Sequence, residues 1–380
     1  MHSHRPFLGL ALAILATALT SASTTAKDPI VFITSFASGD DGGIHAYAFD
    51  TKVGKLKPLH RTAIPENPFF LALSPNQKFL YSTHTKQFGG TETEHVAAYE
   101  IVGRTGELKL LNRQSCEGRG ACHLNVEQTG KTVLVSNYTS GNVASLPVKA
   151  DGSLGAPASF FQHEASRENP SRPKKPLAHC IVVSPENRYA YVADKGLDRI
   201  YCYKLDPAQG TMTPNTPPFT TTQTGAGPRH LRFHPNGKRV YVINELSNSV
   251  SVYTYDAGSG ALTETQTIPT LPKDFSGRTK CADLKITPDG RYLYGTNRGH
   301  DSIACYRIAE DGTLSLIAIE SSLGKEPQNL AITDDGSWLL CANRQGNSVA
   351  VFHIDGMTGR LKSAGEPISQ PKPSCIMLQP

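Results

Sequence analysis

Short runs of apolar residues alternate with compact polar turns along most of the chain. Six of these runs are rich in β-branched and aromatic residues, and each follows a turn that contains Pro, Asn, Asp or Gly. The runs are Phe79–Ser82, Val133–Ser136, Tyr189–Ala193, Val240–Ile243, Tyr292–Thr296 and Trp338–Ala342. No helical period persists after residue 26. The pattern therefore predicts an all-β protein of short antiparallel strands.

A second signature is a glycine that is followed two residues later by Leu or Met. It recurs seven times at a spacing near fifty residues. The glycines are Gly54, Gly106, Gly152, Gly210, Gly260, Gly312 and Gly359. Such glycines suit hairpin turns, and four-stranded units that repeat at this spacing indicate a β-propeller. We predict seven blades of four antiparallel strands each.

The two ends of the chain fit a single blade. Ile30–Thr34 matches the second strand of the repeat, and Ser374–Leu378 matches the first strand. We therefore predict that the C-terminal strand joins the N-terminal blade, which removes two open sheet edges. Alignment of the copies predicts first strands that begin near Phe69, Cys122, His179, Arg229, Ala282, Gln328 and Ser374.

The first 26 residues differ in character from the rest of the chain. Arg5 precedes an apolar run from Leu8 to Leu19, and small residues follow as far as Ala26. This order is typical of a secretory signal peptide, and the apolar run is too short to span a bilayer. We predict a signal peptide over residues 1–26 and a single propeller domain over residues 27–380. The protein is then exported, to the periplasm or the medium, with no membrane attachment after cleavage.

Charge and cysteine content narrow the possible functions. The formal net charge is +5, and no basic run with interleaved aromatic residues indicates a nucleic-acid partner. Eight cysteines in an exported chain permit disulfides, and Cys116 and Cys122 are near enough in sequence to close a small loop. No CxxC or Cys/His spacing indicates zinc. The cysteines expected to be small buried residues are Cys180, Cys202, Cys281, Cys305 and Cys375.

The start of each first strand and the end of each second strand share one end of their hairpin, and in a propeller these ends surround the central channel. The residues at the starts of six first strands are Phe69, Cys122, His179, Arg229, Ala282 and Gln328. The residues at the ends of the paired second strands are Thr85, Tyr138, Lys195, Glu245, Arg298 and Arg344. Glu245 is the one carboxylate in this ring. The ring predicts a cationic funnel for a small anionic substrate, with Glu245 as general base.

Other roles for these residues remain open at this point. Calcium and zinc sites use more carboxylate, carbonyl or thiolate ligands than this ring contains, so we predict no metal and no cofactor. The Arg229–Glu245 pair also fits an ion pair that only holds a strand end. His179 could equally be a histidine with a purely structural role at a strand end. Arg298, Arg344 and Lys195 could equally be ordinary surface charges at the rim.

The same alignment also suggests roles for the polar residues next to the ring positions. Asn residues precede four of the second-strand ends, at Asn137, Asn244, Asn297 and Asn343, and turn capping suits them. His123 and His230 lie one position further along their first strands, and strict strand alternation predicts that they face the blade interior.

Two stretches resemble a known family. They are GAGPRHLRFHPNGKRVYVINELSNSV, from Gly225, and KCADLKITPDGRYLYGTNRGHDSIACYRIAEDGTL, from Lys280. Both are similar to the seven-bladed propeller lactonases, which include bacterial 6-phosphogluconolactonase and fungal carboxy-cis,cis-muconate cyclase. The resemblance covers essentially the whole chain after residue 26. It implies a lactone-handling enzyme whose functional residues are His179, Arg229, Glu245 and Arg298.

The leading hypothesis is hydrolysis of a sugar-type lactone, phosphorylated or not. Glu245 acts as general base on water, Arg229 and Arg298 stabilise the oxyanion, and His179 protonates the leaving alkoxide. The residues expected to bind substrate are Arg344, Lys195, Tyr138 and Asn297. Two alternatives stay open: cycloisomerisation of a muconate-like acid at the same site, and a secreted propeller that binds a partner without catalysis. The sequence leaves the oligomeric state undetermined.

Overall fold

The computed structural model describes residues 1–2, 28–165 and 175–380, and within them the chain forms seven antiparallel sheets. In these ranges the helical structure is a single 3₁₀ turn, Gly39–Asp41. The all-β seven-bladed prediction is therefore confirmed. The predicted signal peptide lies outside the described residues, apart from residues 1–2.

The first four blades contain the following strands. Blade 1 contains β1 (Ile30–Ser35), β2 (Gly43–Asp50) and β3 (Lys55–Thr62). Blade 2 contains β4 (Pro68–Leu73), β5 (Phe79–His84), β6 (His95–Ile101) and β7 (Leu108–Ser115). Blade 3 contains β8 (Ala121–Val126), β9 (Thr132–Asn137), β10 (Asn142–Pro147) and β11 (Ser159–Gln162). Blade 4 contains β12 (Ala178–Val183), β13 (Tyr189–Asp194), β14 (Arg199–Asp206) and β15 (Thr211–Thr221).

The remaining blades follow the same order. Blade 5 contains β16 (Pro228–Phe233), β17 (Arg239–Asn244), β18 (Ser249–Asp256) and β19 (Ala261–Pro269). Blade 6 contains β20 (Lys280–Ile286), β21 (Tyr292–Arg298), β22 (Ser302–Ile308) and β23 (Leu314–Ser321). Blade 7 contains β24 (Pro327–Ile332), β25 (Trp338–Asn343), β26 (Ser348–Ile354) and two short outer strands, β27 (Leu361–Ser363) and β28 (Ile368–Ser369). The last strand is β29 (Pro373–Gln379).

The ring closes where the two ends of the chain meet. β29 pairs with β1 in an antiparallel register that places Val31 opposite Leu378. The innermost strands β29, β4, β8, β12, β16, β20 and β24 contact one another in that order around the channel. The predicted closure is confirmed, and both strands lose an open edge.

The repeated glycine turns hold neighbouring blades together. Tyr81 in blade 2 donates its hydroxyl hydrogen to the Gly152 carbonyl of blade 3 at 3.1 Å, and Tyr241 reaches Gly312 in the same way at 2.9 Å. Gly152 has φ +84°, and a Cβ there would lie 2.3 Å from the Phe79 ring. Glycine is therefore required both for the backbone conformation and for close packing, which explains the signature in the sequence.

The eight cysteines all lie in the described residues, and all are buried free thiols. Cys116 Sγ donates to the Glu94 carbonyl at 3.1 Å, and Cys122 Sγ donates to the His179 carbonyl at 3.0 Å. The possible Cys116–Cys122 disulfide is therefore not formed. The expectation that the other cysteines serve as small buried residues is confirmed.

A β-bulge lies near the start of the first strands. The register shifts between Ala178 and Cys180 in β12, and between Pro228 and His230 in β16, so His179 and Arg229 are the unpaired residues. A bulge re-aims side chains and interrupts the alternation of the strand. It therefore places both the bulged residue and the next residue on the channel side.

The bulges overturn the expectation that His123 and His230 face the blade interior. These residues belong to blades 3 and 5, which are not neighbours, and yet their rings lie 5.2 Å apart. The Phe70 ring of blade 2 lies 4.2 Å from the His123 ring and is tilted by 31° relative to it. The three rings meet inside the central channel. The prediction was wrong because it assumed unbroken alternation from the strand start.

Candidate active site

Glu245 lies at the centre of a cluster of cations from three blades. It follows β17, where its amide donates to the Gly227 carbonyl at 2.8 Å and extends the hairpin by one residue. Its Oε1 lies 2.9 Å from Lys195 Nζ. Its Oε2 lies 3.0 Å from Arg229 Nε and 3.1 Å from Arg298 Nη2. Both carboxylate oxygens are therefore engaged, and the side chain is only 5% exposed.

The electrostatics of this cluster favour the charged carboxylate. Burial raises the pKa of Glu245, but the charges of Arg229, Arg298 and Lys195 outweigh it and lower the pKa to about 2. Burial, together with the charge of Arg298, lowers the pKa of Arg229 to about 10, so Arg229 stays charged at neutral pH. The cluster carries net positive charge around a carboxylate that is a weak base.

Arg229 and Arg298 have different surroundings although both contact Glu245. Arg229 is buried, and its Nη1 donates to the Ala282 carbonyl at 2.5 Å. Its Nε is close to Glu245 but poorly aligned for a hydrogen bond, so this contact is an ion pair. The Arg298 side chain is 16% exposed. Arg298 is thus the arginine of this pair that solvent reaches.

A cavity of about 620 Å³ opens on Glu245 and Arg298. Further charged groups line its wall: Arg278, Lys280, Lys325, Asp301 and Glu326. The Asp301 carboxylate is already engaged within the protein, because its Oδ1 accepts hydrogen bonds from the backbone amides of Gly299 and Glu326. Cations therefore outnumber free carboxylates in the wall, which suits an anionic ligand.

His179 is linked to this cluster through Tyr138. The His179 and Tyr138 rings lie 5.3 Å apart, and Lys195 Nζ stands 4.8 Å from the centre of the Tyr138 ring. Burial, followed by the charges of Arg229 and other cations, lowers the pKa of His179 well below its usual value. His179 is therefore a neutral imidazole at neutral pH. It does not belong to the wall of the cavity that opens on Glu245.

The other side of the same face is aromatic. Phe36, Phe69 and Phe88 form a triangle with ring centroids 4.7 to 5.6 Å apart, and Phe88 lies 6.3 Å from Tyr138. We call these four residues, from blades 1 to 3, the aromatic half. The charged half comprises the residues of blades 4 to 6: His179, Lys195, Arg229, Glu245 and Arg298. The repeat alignment names Phe69 and Tyr138, whereas Phe36 and Phe88 lie in loops that vary between blades and give no signal.

The two remaining predicted residues lie outside the charged half. Arg344 of blade 7 stands over the Phe36 ring at 5.4 Å. Asn297 is fully buried, and its amide donates to the Thr270 carbonyl at 2.8 Å and to Ser302 Oγ at 3.1 Å. This geometry makes Asn297 part of the blade turn, so the structure does not bring it to a surface where substrate binds.

A buried layer beneath the charged half was missed by the sequence reasoning. Asp283 Oδ1 accepts a hydrogen bond from His230 Nδ1 at 2.8 Å, and His230 Nε2 lies 3.3 Å from Arg229 Nη1. Because Arg229 is a donor, Nε2 is the acceptor and Nδ1 carries the hydrogen. The Asp283–His230 pair therefore holds the Arg229 guanidinium in place. The polar residues next to some of the bulges, such as His123 and His230, were the available signal, but the bulge itself was not foreseen.

Residues 28–165 and 175–380 contain neither a metal cluster nor a spanning helix. No group of three or more His, Cys, Asp or Glu side chains there is arranged to hold a metal ion. Within the same residues, no helix has the length and apolar character needed to cross a bilayer.

Comparison with known proteins assigns a family to this architecture. A family model described as "Lactonase, 7-bladed beta-propeller" matches residues 30–378. The 6-phosphogluconolactonase of Bacillus subtilis is 34% identical over 348 residues, which cover 91% of this chain and 97% of the relative. The 6-phosphogluconolactonase of Formosa agariphila is 35% identical and covers 87% of this chain and 94% of its own.

A solved structure agrees with this assignment. The periplasmic gluconolactonase of Pseudomonas aeruginosa superimposes with a TM-score of 0.86 at 28% identity, covering 93% of this chain and 99% of its own. The family match extends from the first strand of blade 1 to the closing strand, so it includes every blade that builds the charged half. The chain therefore belongs to the seven-bladed β-propeller lactonase family.

Proposed function

We propose that the protein hydrolyses a sugar-type lactone on the face that carries the charged half. The observation that carries the proposal is the Glu245 carboxylate, which is contacted by three cations at the wall of a cavity of about 620 Å³. Lactone hydrolysis passes through a tetrahedral oxyanion, and fixed cations stabilise such charge. The activities for which the B. subtilis and P. aeruginosa relatives are named support the same reaction class.

We assign oxyanion stabilisation to Arg298, assisted by Lys195. Both are partly exposed, with side-chain exposures of 16% and 11%. Arg229 is buried behind Glu245, so it acts by holding the carboxylate instead of touching substrate. This division changes the sequence-based expectation, in which Arg229 and Arg298 shared one role. Glu245 keeps the three cations close together against their mutual repulsion.

We assign the general base to His179 in place of Glu245. Both oxygens of the Glu245 carboxylate are engaged by cations. His179 is a neutral imidazole, so one of its ring nitrogens keeps a lone pair that can accept a proton. Water attacks the lactone carbonyl while His179 takes its proton. The ring C–O bond then breaks, and the same proton passes to the departing oxygen.

The substrate is expected to lie across both halves of the face. The cavity wall offers Arg278, Lys280 and Lys325 to a phosphate or carboxylate group on the substrate. The aromatic half offers ring faces to the apolar face of a sugar ring. The two halves meet where Lys195 contacts the Tyr138 ring, and Arg344 adds a cation over Phe36. The substrate class is therefore an anionic or neutral sugar lactone.

A pH-stat assay tests the proposal, because hydrolysis of a lactone at neutral pH releases one proton. The panel comprises glucono-δ-lactone, 6-phosphogluconolactone and a muconolactone. We expect turnover of at least one sugar lactone, with one ¹⁸O atom incorporated into the product from labelled water. Turnover of a muconate-type acid without ¹⁸O incorporation would support the cycloisomerase alternative. No turnover across the panel would favour a binding propeller.

The assignment of the base has its own test. His179→Gly should slow the turnover step by about 10²–10³, and added imidazole should restore part of the lost rate. Glu245→Ala should gain nothing from imidazole, because the missing group is a counterion. If imidazole leaves His179→Gly inactive, His179 is not the base and the role returns to Glu245, as the sequence first indicated. Formate should rescue Glu245→Ala in either case, because formate can replace the counterion.

Export to the periplasm or medium is part of the proposed function. Its support is the pattern of residues 1–26 and the periplasmic location for which the P. aeruginosa relative is named. Cell fractionation of a C-terminally tagged chain measures it. The tagged protein should appear outside the cytoplasm and lack its first 23 to 26 residues by mass, and retention of the full-length chain in the cytoplasm would refute export.

A further inference from the structure

The central channel has a second cavity on the face opposite the charged half. Its volume is about 320 Å³. Channel-facing side chains alternate along the inner strands after each bulge, which places Arg232 below His230 in β16 and Lys285 below Asp283 in β20. Both cations line this cavity. We call it the lower cavity.

The rings of Phe70, His123 and His230 separate the lower cavity from the charged half. Phe70 and His123 lie 4.2 Å apart, and His123 and His230 lie 5.2 Å apart, so they fill the channel between the two ends. A ligand in the lower cavity therefore does not reach Glu245. The two sites are accessible from opposite faces.

The lower cavity contains a cation, Arg232, that no described carboxylate contacts directly, although the charge of Asp283 acts on it at longer range. Asp283 Oδ2 is saturated by Lys285 Nζ at 2.5 Å, Asn329 Nδ2 at 2.7 Å and the Leu330 amide at 3.0 Å. Asp283 Oδ1 is taken by His230. Among the described residues, Arg232 has no ion pair or hydrogen bond to its guanidinium, although it is only partly exposed.

The charges in the lower cavity sum to a single positive charge. Arg232 and Lys285 contribute two positive charges and Asp283 contributes one negative charge. Burial lowers the pKa of His123 well below its usual value, so His123 adds none. Asp334 is exposed at the rim, where solvent screens it. An oxyanion with one charge matches this sum, and a dianion exceeds it.

The walls of the lower cavity are mainly apolar. Phe70, Ile286, Ile376 and Met377 contribute to them. A half-buried guanidinium binds a carboxylate through two parallel hydrogen bonds, and the apolar wall favours a short hydrocarbon or weakly polar body. We propose that the lower cavity binds a small organic monocarboxylate, with its carboxylate on Arg232 and Lys285. This site is independent of the proposed lactonase site.

Thermal unfolding with sodium butyrate tests the proposal, with butyramide as the neutral analogue and sodium chloride holding the ionic strength constant. Once butyrate exceeds its Kd about tenfold, we expect the Tm to rise by about 2 °C. Butyramide should leave the Tm unchanged. The active-site variant Arg298→Gln should keep the full butyrate response, because its substitution lies in the charged half.

Arg232→Gln is the decisive variant, since it removes an unpaired cation and leaves the Asp283–Lys285 pair intact. It should weaken butyrate binding at least tenfold, measured by calorimetry. Arg188→Gln, at an exposed arginine on a blade turn, carries the same charge change and should keep wild-type affinity. The proposal is overturned if butyramide raises the Tm as much as butyrate does, or if Arg232→Gln binds butyrate as tightly as the wild type. It is also overturned if Arg298→Gln loses the butyrate response, or if inorganic phosphate binds more tightly than butyrate.

Discussion

The aromatic half and the charged half occupy equivalent positions in one repeat, and yet they offer opposite chemistry. Phe69 in blade 2 and Arg229 in blade 5 are both bulged residues of a first strand. Tyr138 and Glu245 both follow a second strand. The blade thus determines where a side chain points, and the residue type alone determines what it does there. The function of each part of this face therefore depends on which residue occupies the equivalent position in each blade.

The halves also differ in how their side chains are held. Ring contacts join the aromatic half, and shortening Phe88 leaves the contact between the Phe36 and Phe69 rings in place. The charged half depends on one carboxylate that contacts Lys195, Arg229 and Arg298. Loss of this carboxylate leaves like charges facing one another in a partly buried place. The charged half is therefore the more sensitive of the two.

The largest effect is expected from Glu245→Gln. The amide cannot balance three cations, so Arg298 and Lys195 should leave their positions. We expect kcat/KM for the lactone to fall by about 10³, measured by pH-stat with circular dichroism as a check on folding. Glu245→Asp, which retains the charge, should lose less. Glu326→Gln is the control, because Glu326 is a carboxylate in the same cavity wall. Its kcat/KM should stay within about threefold of the wild-type value. A loss equal to that of Glu245→Gln would contradict the central role of Glu245.

A smaller effect concerns stability in acid, which we attribute to the buried layer beneath the charged half. Burial, followed by the charge of Arg229, lowers the pKa of His230 to about 3, against about 6.5 in the unfolded chain. The unfolded state therefore binds the proton first as the pH falls. Stability is lost between about pH 6.5 and pH 3 and is fully present above this window. Tm measured against pH should fall less steeply in His230→Gln than in wild type.

The aromatic half offers a matched contrast to that acid effect. It contains no histidine or carboxylate among its four residues, so Phe88→Leu should leave the slope of Tm against pH unchanged. An equal change of slope in Phe88→Leu and His230→Gln would show that the acid transition does not arise in the buried layer beneath the charged half.

The smallest effect is expected from truncation in the aromatic half. Phe88→Ala removes one ring from a group of four, and the neighbouring rings remain in place. We expect KM to rise by about threefold to tenfold with little change in kcat, since a stacking contact contributes about 0.5–1.5 kcal/mol equally in the bound and transition states. If the variant instead turned over its bound substrate about a hundredfold more slowly, the chemistry would have to involve the aromatic half.

Much of the fold was accessible from the sequence because the repeat is local and regular. Glycines such as Gly152 adopt a positive φ at the same turn of every copy, so they recur visibly in the sequence. The strand starts at Pro228 and Ala178 fall one residue before the predicted Arg229 and His179. The closing strand was predictable because its pattern is a first strand without a partner.

The site was accessible only in part. The repeat alignment named Glu245, Arg229 and Arg298, because the aligned positions share one end of the channel and Glu245 is the one carboxylate among them. It could not show that a bulge turns His230 into the channel, where Asp283 anchors it beneath Arg229. It also could not separate the buried Arg229 from the exposed Arg298, since burial depends on neighbouring blades. The weak basicity of Glu245 likewise arises from cations that converge only in three dimensions.

The central claim is tested most directly by two arginines at the same repeat position. Arg298 ends the second strand of blade 6 and contacts Glu245, whereas Arg344 follows the second strand of blade 7 and lies over Phe36. With one lactone substrate and one assay, Arg298→Gln should lower kcat/KM by about 10²–10³, mainly through kcat. Arg344→Gln should lower it less than about tenfold, mainly through KM. Equal losses, or a larger loss in Arg344→Gln, would contradict the claim that catalysis resides in the charged half.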